Sequence, residues 1–258
     1  MAELGKYLYC IIACPESRTF DGLAIGQRER DGLIYTVCHK GLGVVVSDSP
    51  QKQYESTRHN MMAHQKALEM VMREFTLLPV RFGTVTDSAS PAQSIQKLLS
   101  SRCEEFQRHL KEMEGKVELG LKAFWRDEKA IFEEILAENP DIRRLRNSLA
   151  DKPPQVIRFD GISLGQMVKE ALGRKRTQEA ASILSPLRAI ALRINESQTS
   201  VDRMVVNAAF LVDLGQEQAF DQAIKQLDEK LGNRIVFKYI GPVPPYNFVN
   251  IVVNWDEL

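Results

Sequence analysis

The spacing of apolar residues changes abruptly at Gly115, and this change limits the folds open to the chain. From about Pro91 to Met113, apolar side chains recur every three or four residues, which predicts a helix with one buried stripe. From Val117 to Trp125 they alternate with polar or small residues, which predicts a strand with one solvent-facing side. A chain that uses both periods must pack helices against sheets, so the sequence predicts an α+β fold.

The order of the periodic segments predicts two domains and a tail. Residues 1–114 are expected to form an N-terminal α+β domain, with early strands followed by helices. Residues 115–240 follow the order strand, helices, strand, helix, strand, which predicts a ferredoxin-like domain with extra helices. In this domain a helical pattern runs from 162 to 196, with a bend or break expected at Gly173 or Pro186.

Residues 241–258 are predicted to form an extended C-terminal tail. Three prolines near its start oppose pairing inside a sheet, and alternating apolar residues from 249 to 255 predict a terminal strand. The strand can pair with the sheet of its own domain or add to another chain through main-chain hydrogen bonds. Removal of the tail is expected to leave a folded protein that is deficient in function.

Composition limits the classes of partner. The 258 residues include 34 Lys plus Arg and 34 Asp plus Glu, so no overall positive charge is available to hold a phosphate backbone, and nucleic acid is not an expected partner. No apolar run approaches the length of a membrane span, and the first residues lack the features of a signal peptide. We therefore expect a cytoplasmic protein with no membrane partner.

Residues suited to catalysis or metal binding do not cluster. Cys10 and Cys14 lie about 13 Å apart along one predicted strand, too far for a disulfide, and Cys38 and Cys103 are isolated in sequence. All four are expected to be ordinary buried thiols. His59 and His64 are five residues apart on a helix and face different directions. The sequence predicts no catalytic residue, no metal site and no cofactor.

Arg81 lies in an apolar segment between Val80 and Phe82. A partly buried guanidinium there needs a carboxylate or several carbonyl partners, and Glu69 and Glu74 on the preceding helix are the candidates. The alternative is an anionic ligand, or a carboxylate of a partner, bound close to the backbone at Gly83. His64 is expected to be a satisfied core histidine and not a general base.

Several segments together resemble one known family, the GvpF/GvpL family of gas vesicle proteins. They occur in the expected order along nearly the whole chain: Tyr7-Leu8-Tyr9, Gly41 to Asp48, Thr57-Arg58-His59-Asn60, Leu78 to Val85, Gly115 to Trp125, Met204 to Val212 and Gly241 to Val249. The resemblance implies two α+β domains, of which the second is a modified ferredoxin-like one.

The resemblance also implies a function without enzymatic activity. Such a protein would be a minor component of the gas vesicle, the gas-filled protein shell that gives aquatic prokaryotes such as cyanobacteria buoyancy. It would be needed for assembly, binding the major shell protein during nucleation and limiting its aggregation, alongside other minor gas vesicle proteins. The expected location is the gas vesicle within the cytoplasm.

The candidate partner-binding residues come from the two Pro- and Gly-containing stretches. They are Arg81, Phe82, Gly83, Pro244, Pro245, Tyr246 and Phe248. The alternative function is that of a ferredoxin-like small-molecule sensor or enzyme with an anion pocket near Arg81. A pocket formed by Arg81, His64 and Tyr246 would favour that alternative.

Overall fold

The computed structural model describes residues 4–22, 24–26, 32–86, 90–150 and 157–257. Within these residues it contains two antiparallel sheets and seven α-helices, which confirms the predicted α+β class. The chain divides into two compact units. Unit 1 comprises residues 1–118 together with 241–258, and unit 2 comprises residues 119–240. Residues from both ends of the chain therefore belong to the same unit.

Unit 1 is built on a five-stranded sheet with the order β2-β3-β4-β1-β5. Its strands are β1 (Gly5–Ala13), β2 (Thr19–Phe20), β3 (Ile34–His39), β4 (Leu42–Ser49) and β5 (Leu77–Pro79). β1 pairs with β4 on one side and β5 on the other, and residues 7–12 of this strand are fully buried. Burial of both faces explains why residues 7–12 form an unbroken apolar run.

Three helices pack in unit 1: α1 (Arg58–Met72), α2 (Pro91–Ser101) and α3 (Cys103–Met113). Thr57 caps α1 by accepting a hydrogen bond from the backbone N–H of Asn60. The single helix predicted from 91 to 113 is wrong, because the backbone of Arg102 leaves the helical region and separates α2 from α3. The guanidinium of Arg102 then pairs with Glu105 and donates to the carbonyl of Val252 in the C-terminal segment.

The C-terminal segment, residues 244–257, does not form the predicted strand. Only Ile251 forms an isolated bridge, parallel to Val80, and the segment ends in a 3₁₀ turn at Trp255–Glu257. The prolines explain the difference, since they start a turn in which the N–H of Val249 donates back to the carbonyl of Pro245 at 2.9 Å.

Core contacts hold this segment in unit 1. Val249 and Ile251 are 4% and 1% exposed. The carboxylate of the buried Glu118 accepts hydrogen bonds from the backbone N–H and the side-chain amide of Asn247, at 2.8 and 2.6 Å. The indole of Trp255 donates to the carbonyl of Val85 at 2.7 Å. The segment is therefore part of the core of unit 1.

Unit 2 is built on a four-stranded sheet with the order β7-β8-β6-β9. Its elements are β6 (Lys116–Trp125), α4 (Glu128–Glu138), α5 (Pro140–Ala150), α6 (Ile157–Arg188), β7 (Arg193–Glu196), β8 (Met204–Asp213), α7 (Glu217–Leu231) and β9 (Ile235–Val243). β6 begins, and β9 ends, in residues assigned to unit 1. None of the helices in the described part of the chain is long and apolar enough to cross a bilayer.

The helical pattern predicted from 162 to 196 is wrong at its end. α6 stops at Arg188, and Arg193–Glu196 pair with β8 as an edge strand. The sequence left open a bend or a break at Gly173 or Pro186, and a break is wrong, because α6 continues through both residues. Pro186 lies in the last turn of α6, and the helix ends only two residues after it. Proline lacks the N–H that a helix interior uses, so its place near the end is in keeping with the termination of the helix.

Candidate partner-binding groove

A groove of about 520 Å³ opens on the surface of unit 1. It lies between α1, the end of β5 with the loop that follows, and the C-terminal segment. Its lining includes Met61, His64 and Gln65 from α1, Val80, Arg81 and Phe82 after β5, and Tyr246, Val249 and Val252 from the C-terminal segment. One compact unit therefore supplies all of these residues.

A buried aromatic cluster underlies the groove. The hydroxyl of Tyr7 accepts a hydrogen bond from the backbone N–H of Gly83 at 3.1 Å and lies 2.9 Å from Nδ1 of His64. The hydroxyl of Tyr7 therefore has two hydrogen-bond partners, the backbone at Gly83 and the imidazole of His64. The imidazole stacks on Tyr9 and meets the edge of Phe82. The cluster fixes the ring orientation of His64 at the base of the groove.

His64 is neutral at physiological pH. It is 5% exposed, and desolvation lowers its pKa from 6.5 to about 4. The prediction of a satisfied core histidine is confirmed. The neutral ring lies beneath a groove whose other walls are largely apolar.

Gly83 shapes the loop that forms one wall. Its φ of +84° is in the left-handed region, which glycine adopts without strain. A Cβ at this position would meet no atom within 4 Å, so the backbone conformation and not close approach is what favours glycine. The loop conformation directs the Gly83 N–H to the hydroxyl of Tyr7.

Arg81 lies exposed at the rim of the groove. The predicted ion pair with Glu69 or Glu74 is wrong, and no carboxylate among the described residues pairs with its guanidinium. Glu69 instead accepts a hydrogen bond from the amide of Gln65 at 2.7 Å. β5 ends at Pro79, so Arg81 lies beyond the sheet, and its backbone N–H donates to the carbonyl of Ile251 at 3.3 Å. The backbone of Arg81 is therefore held by a hydrogen bond, while its guanidinium faces solvent.

Large apolar side chains are exposed around the groove. Met61, Tyr246 and Val252 are 52%, 39% and 47% exposed. Clustered exposed apolar side chains beside a depression are typical of interaction surfaces. Methionine adds a flexible, polarizable surface that adapts to different partners.

The structure brings three of the seven predicted partner-binding residues into this groove: Arg81, Phe82 and Tyr246. Gly83 lies in the adjoining turn, whereas Pro244 and Pro245 are buried and Phe248 is half-buried away from the groove lining. Sequence reasoning missed Met61 and Val252. Met61 lies one helical turn before His64 in the apolar pattern of α1, so its spacing in sequence is that of a core residue, whereas the structure leaves it 52% exposed in the first turn. Within the described residues, no group of three or more His, Cys, Asp or Glu side chains is arranged to hold a metal ion.

Comparisons with known proteins agree with this architecture. The family model described as gas vesicle synthesis protein GvpL/GvpF matches residues 5–250. The chain is 28% identical over 251 residues to gas vesicle protein F of Nostoc sp. PCC 7120, covering 96% of this chain and 98% of that protein. It is 30% identical over 209 residues to gas vesicle protein F of a Streptomyces species, covering 81% of this chain and 84% of that protein.

Solved structures of such proteins superpose over nearly the full chain. The crystal structure of GvpF from Anabaena sp. PCC7120 matches with a TM-score of 0.81 at 27% identity, covering 97% of this chain and 100% of the other. The structure of GvpF from Microcystis aeruginosa matches with a TM-score of 0.78 at 25% identity, covering 95% and 98%. This chain therefore belongs to the GvpL/GvpF family of gas vesicle synthesis proteins.

Proposed function

We propose that this protein is a minor gas vesicle component needed for vesicle assembly, which binds the major shell protein and limits its aggregation during nucleation. Membership of the family supports a gas-vesicle-related role. The groove rimmed by the exposed Met61, Tyr246 and Val252 supports the binding step. No enzymatic activity is part of this proposal.

The physical basis is burial of apolar surface that would otherwise self-associate. A groove of about 520 Å³ has room for two or three apolar side chains of a client segment. Each fully buried Val, Leu or Phe side chain contributes about 1.5–3 kcal/mol. A client held in this way cannot present the same side chains to another copy of itself, so binding delays aggregation.

Polar groups at the groove orient the client. The neutral imidazole of His64 lies at its base, and the exposed guanidinium of Arg81, which pairs with no described carboxylate, lies at its rim. The guanidinium is a hydrogen-bond donor, which suits a client segment that offers backbone carbonyls or a carboxylate beside its apolar side chains. Other minor gas vesicle proteins are further proposed partners, and the proposed location is the gas vesicle within the cytoplasm.

Neighbouring methionines provide a matched test. Met61 lines the groove and is 52% exposed, whereas Met62 is 44% exposed and lines a different depression. We expect the wild-type protein to co-elute with purified major shell protein and to delay its precipitation. Met61→Glu should lose both effects, while Met62→Glu should retain them. Equal behaviour of the two variants would show that binding does not use this groove.

A second candidate function is binding of a small anionic ligand. The observation that favours it is that Arg81, His64 and Tyr246 line a single groove. Calorimetric titration with inorganic phosphate and with acetate tests it, using Arg81→Gln as the variant. Phosphate or acetate binding that is lost in Arg81→Gln, with no effect of Met61→Glu on the shell protein, would favour this candidate over the first.

A further inference from the structure

Two cysteines that are distant in sequence meet on one face of the sheet in unit 1. Cys14 follows β1, and its backbone N–H donates to the carbonyl of Gly41 at 2.9 Å. Cys38 belongs to β3 and lies opposite Gly43 of β4, the strand between β1 and β3. A Cβ at Gly43 would lie 3.0 Å from Cβ of Cys14 and 3.3 Å from Sγ of Cys38. Both cysteine side chains therefore occupy the space that glycine leaves open.

The two thiols share one hydrogen-bond acceptor. Sγ of Cys14 donates to the carbonyl oxygen of Glu16 at 2.7 Å, and Sγ of Cys38 lies 3.5 Å from the same oxygen. These two distances place the sulfur atoms within about 6 Å of each other. Cys14 is 1% exposed, whereas Cys38 is half-buried. Solvent therefore reaches the pair at Cys38 and is excluded at Cys14.

This arrangement does not favour a disulfide. The intervening strand β4 separates the two Cα atoms by about two strand spacings, roughly 9–10 Å. Disulfides require Cα atoms less than about 7 Å apart, so oxidation would need movement of the sheet backbone. A metal ion bridges two sulfur atoms that are further apart than those of a disulfide. Two metal–sulfur bonds of about 2.3 Å in line separate the sulfur atoms by about 4.6 Å, whereas the S–S bond is about 2.0 Å long.

We propose that Cys14 and Cys38 form a two-coordinate site for a soft monovalent cation such as Cu(I). Thiolate ligands select Cu(I) over hard cations. On binding, each thiol loses its proton to solvent and forms one sulfur–copper bond, and the oxidation states of copper and sulfur do not change. The Glu16 carbonyl, which accepts from the thiols in the free protein, then faces the bound cation. The site is separate from the groove and does not depend on the proposed function.

Anaerobic titration of the full chain tests the proposal. Cu(I) is supplied in competition with bathocuproine disulfonate, and native mass spectrometry with Ag(I) gives the stoichiometry. We expect one tightly held cation per wild-type chain. Cys14→Ser and Cys38→Ser should each lose it, and Cys103→Ser should keep it because Cys103 lies apart on α3.

Gly43→Ala tests the geometry without removing a sulfur atom. The added methyl group would lie between Cys14 and Cys38 at the distances given above, so we expect weaker cation binding with all four thiols still present. Circular dichroism and thermal unfolding show whether each variant folds. Absence of binding by wild type, full binding by both serine variants, or loss of binding in Cys103→Ser alone would each overturn the proposal.

Discussion

Lowering the pH should destabilise this protein through a single buried side chain, His64. In the folded state desolvation holds its pKa at about 4, while an exposed histidine titrates near 6.5. Between these values the unfolded chain binds a proton that the folded protein does not bind. The stabilising contribution of neutral His64 is therefore fully present above pH 6.5 and is lost as the pH falls through 4.

The magnitude follows from the two pKa values. Each pKa unit corresponds to about 1.4 kcal/mol, so protonation of the unfolded state alone removes about 2 kcal/mol between pH 7 and pH 5. The loss reaches about 3 kcal/mol at pH 4. Solvent screening does not reduce this figure much, because His64 is only 5% exposed. A loss of this size is a large part of the stability of an ordinary domain.

Urea unfolding at pH 5 and pH 7, followed by circular dichroism, measures the effect. In His64→Gln, where the side-chain amide can still hydrogen-bond to the hydroxyl of Tyr7, the free energy of unfolding should fall about 2 kcal/mol less between these pH values than in wild type. His59→Gln, which changes an exposed histidine on the same helix, should keep the wild-type pH dependence. The same pH dependence in wild type and His64→Gln would refute the assignment of a buried neutral imidazole.

Five further changes have defined outcomes. Deletion of residues 241–258 should unfold unit 1, contrary to the sequence-based expectation, and Ile251→Ala should cost about 2–5 kcal/mol in urea unfolding because Ile251 is 1% exposed. Glu118→Ala should cost about 1–3 kcal/mol by the same assay, since it removes two hydrogen bonds between a carboxylate and Asn247. Gly26→Ala should lower the melting temperature, because φ is +77° and its Cβ would lie 2.8 Å from Tyr54, whereas Gly173→Ala in α6 should raise it by removing backbone freedom from the unfolded chain.

Much of the secondary structure was predictable because local periodicity determines it. The alternation from Val117 to Trp125 corresponds to β6, and the break at Asn139-Pro140 separates α4 from α5. Proline and the residue before it act through local sterics, so their effect is visible in sequence. The break at Arg102 has no such local signal, because Arg102 is an acceptable helix residue whose partner Val252 is 150 positions away.

The candidate groove was only partly predictable for the same reason. Arg81 and Tyr246 were chosen because they lie in the two Pro- and Gly-containing stretches. Their proximity, however, depends on how the C-terminal segment packs against the end of β5. The pairing of Cys14 with Cys38 likewise depends on sheet order and on the small residue at Gly43 between them. Such contacts across the sheet leave no periodic signal in a single sequence.

The position of the C-terminal segment links folding to the proposed binding of the shell protein. α1 and the loop after β5 supply two walls of the groove, but Tyr246, Val249 and Val252 supply the third. Synthesis proceeds from the N-terminus, so unit 2 is complete before these residues can join unit 1. The groove therefore forms only after nearly the whole chain is made. The proposed client binding and the closure of the core of unit 1 thus use the same few residues, and we expect a tail deletion to remove both.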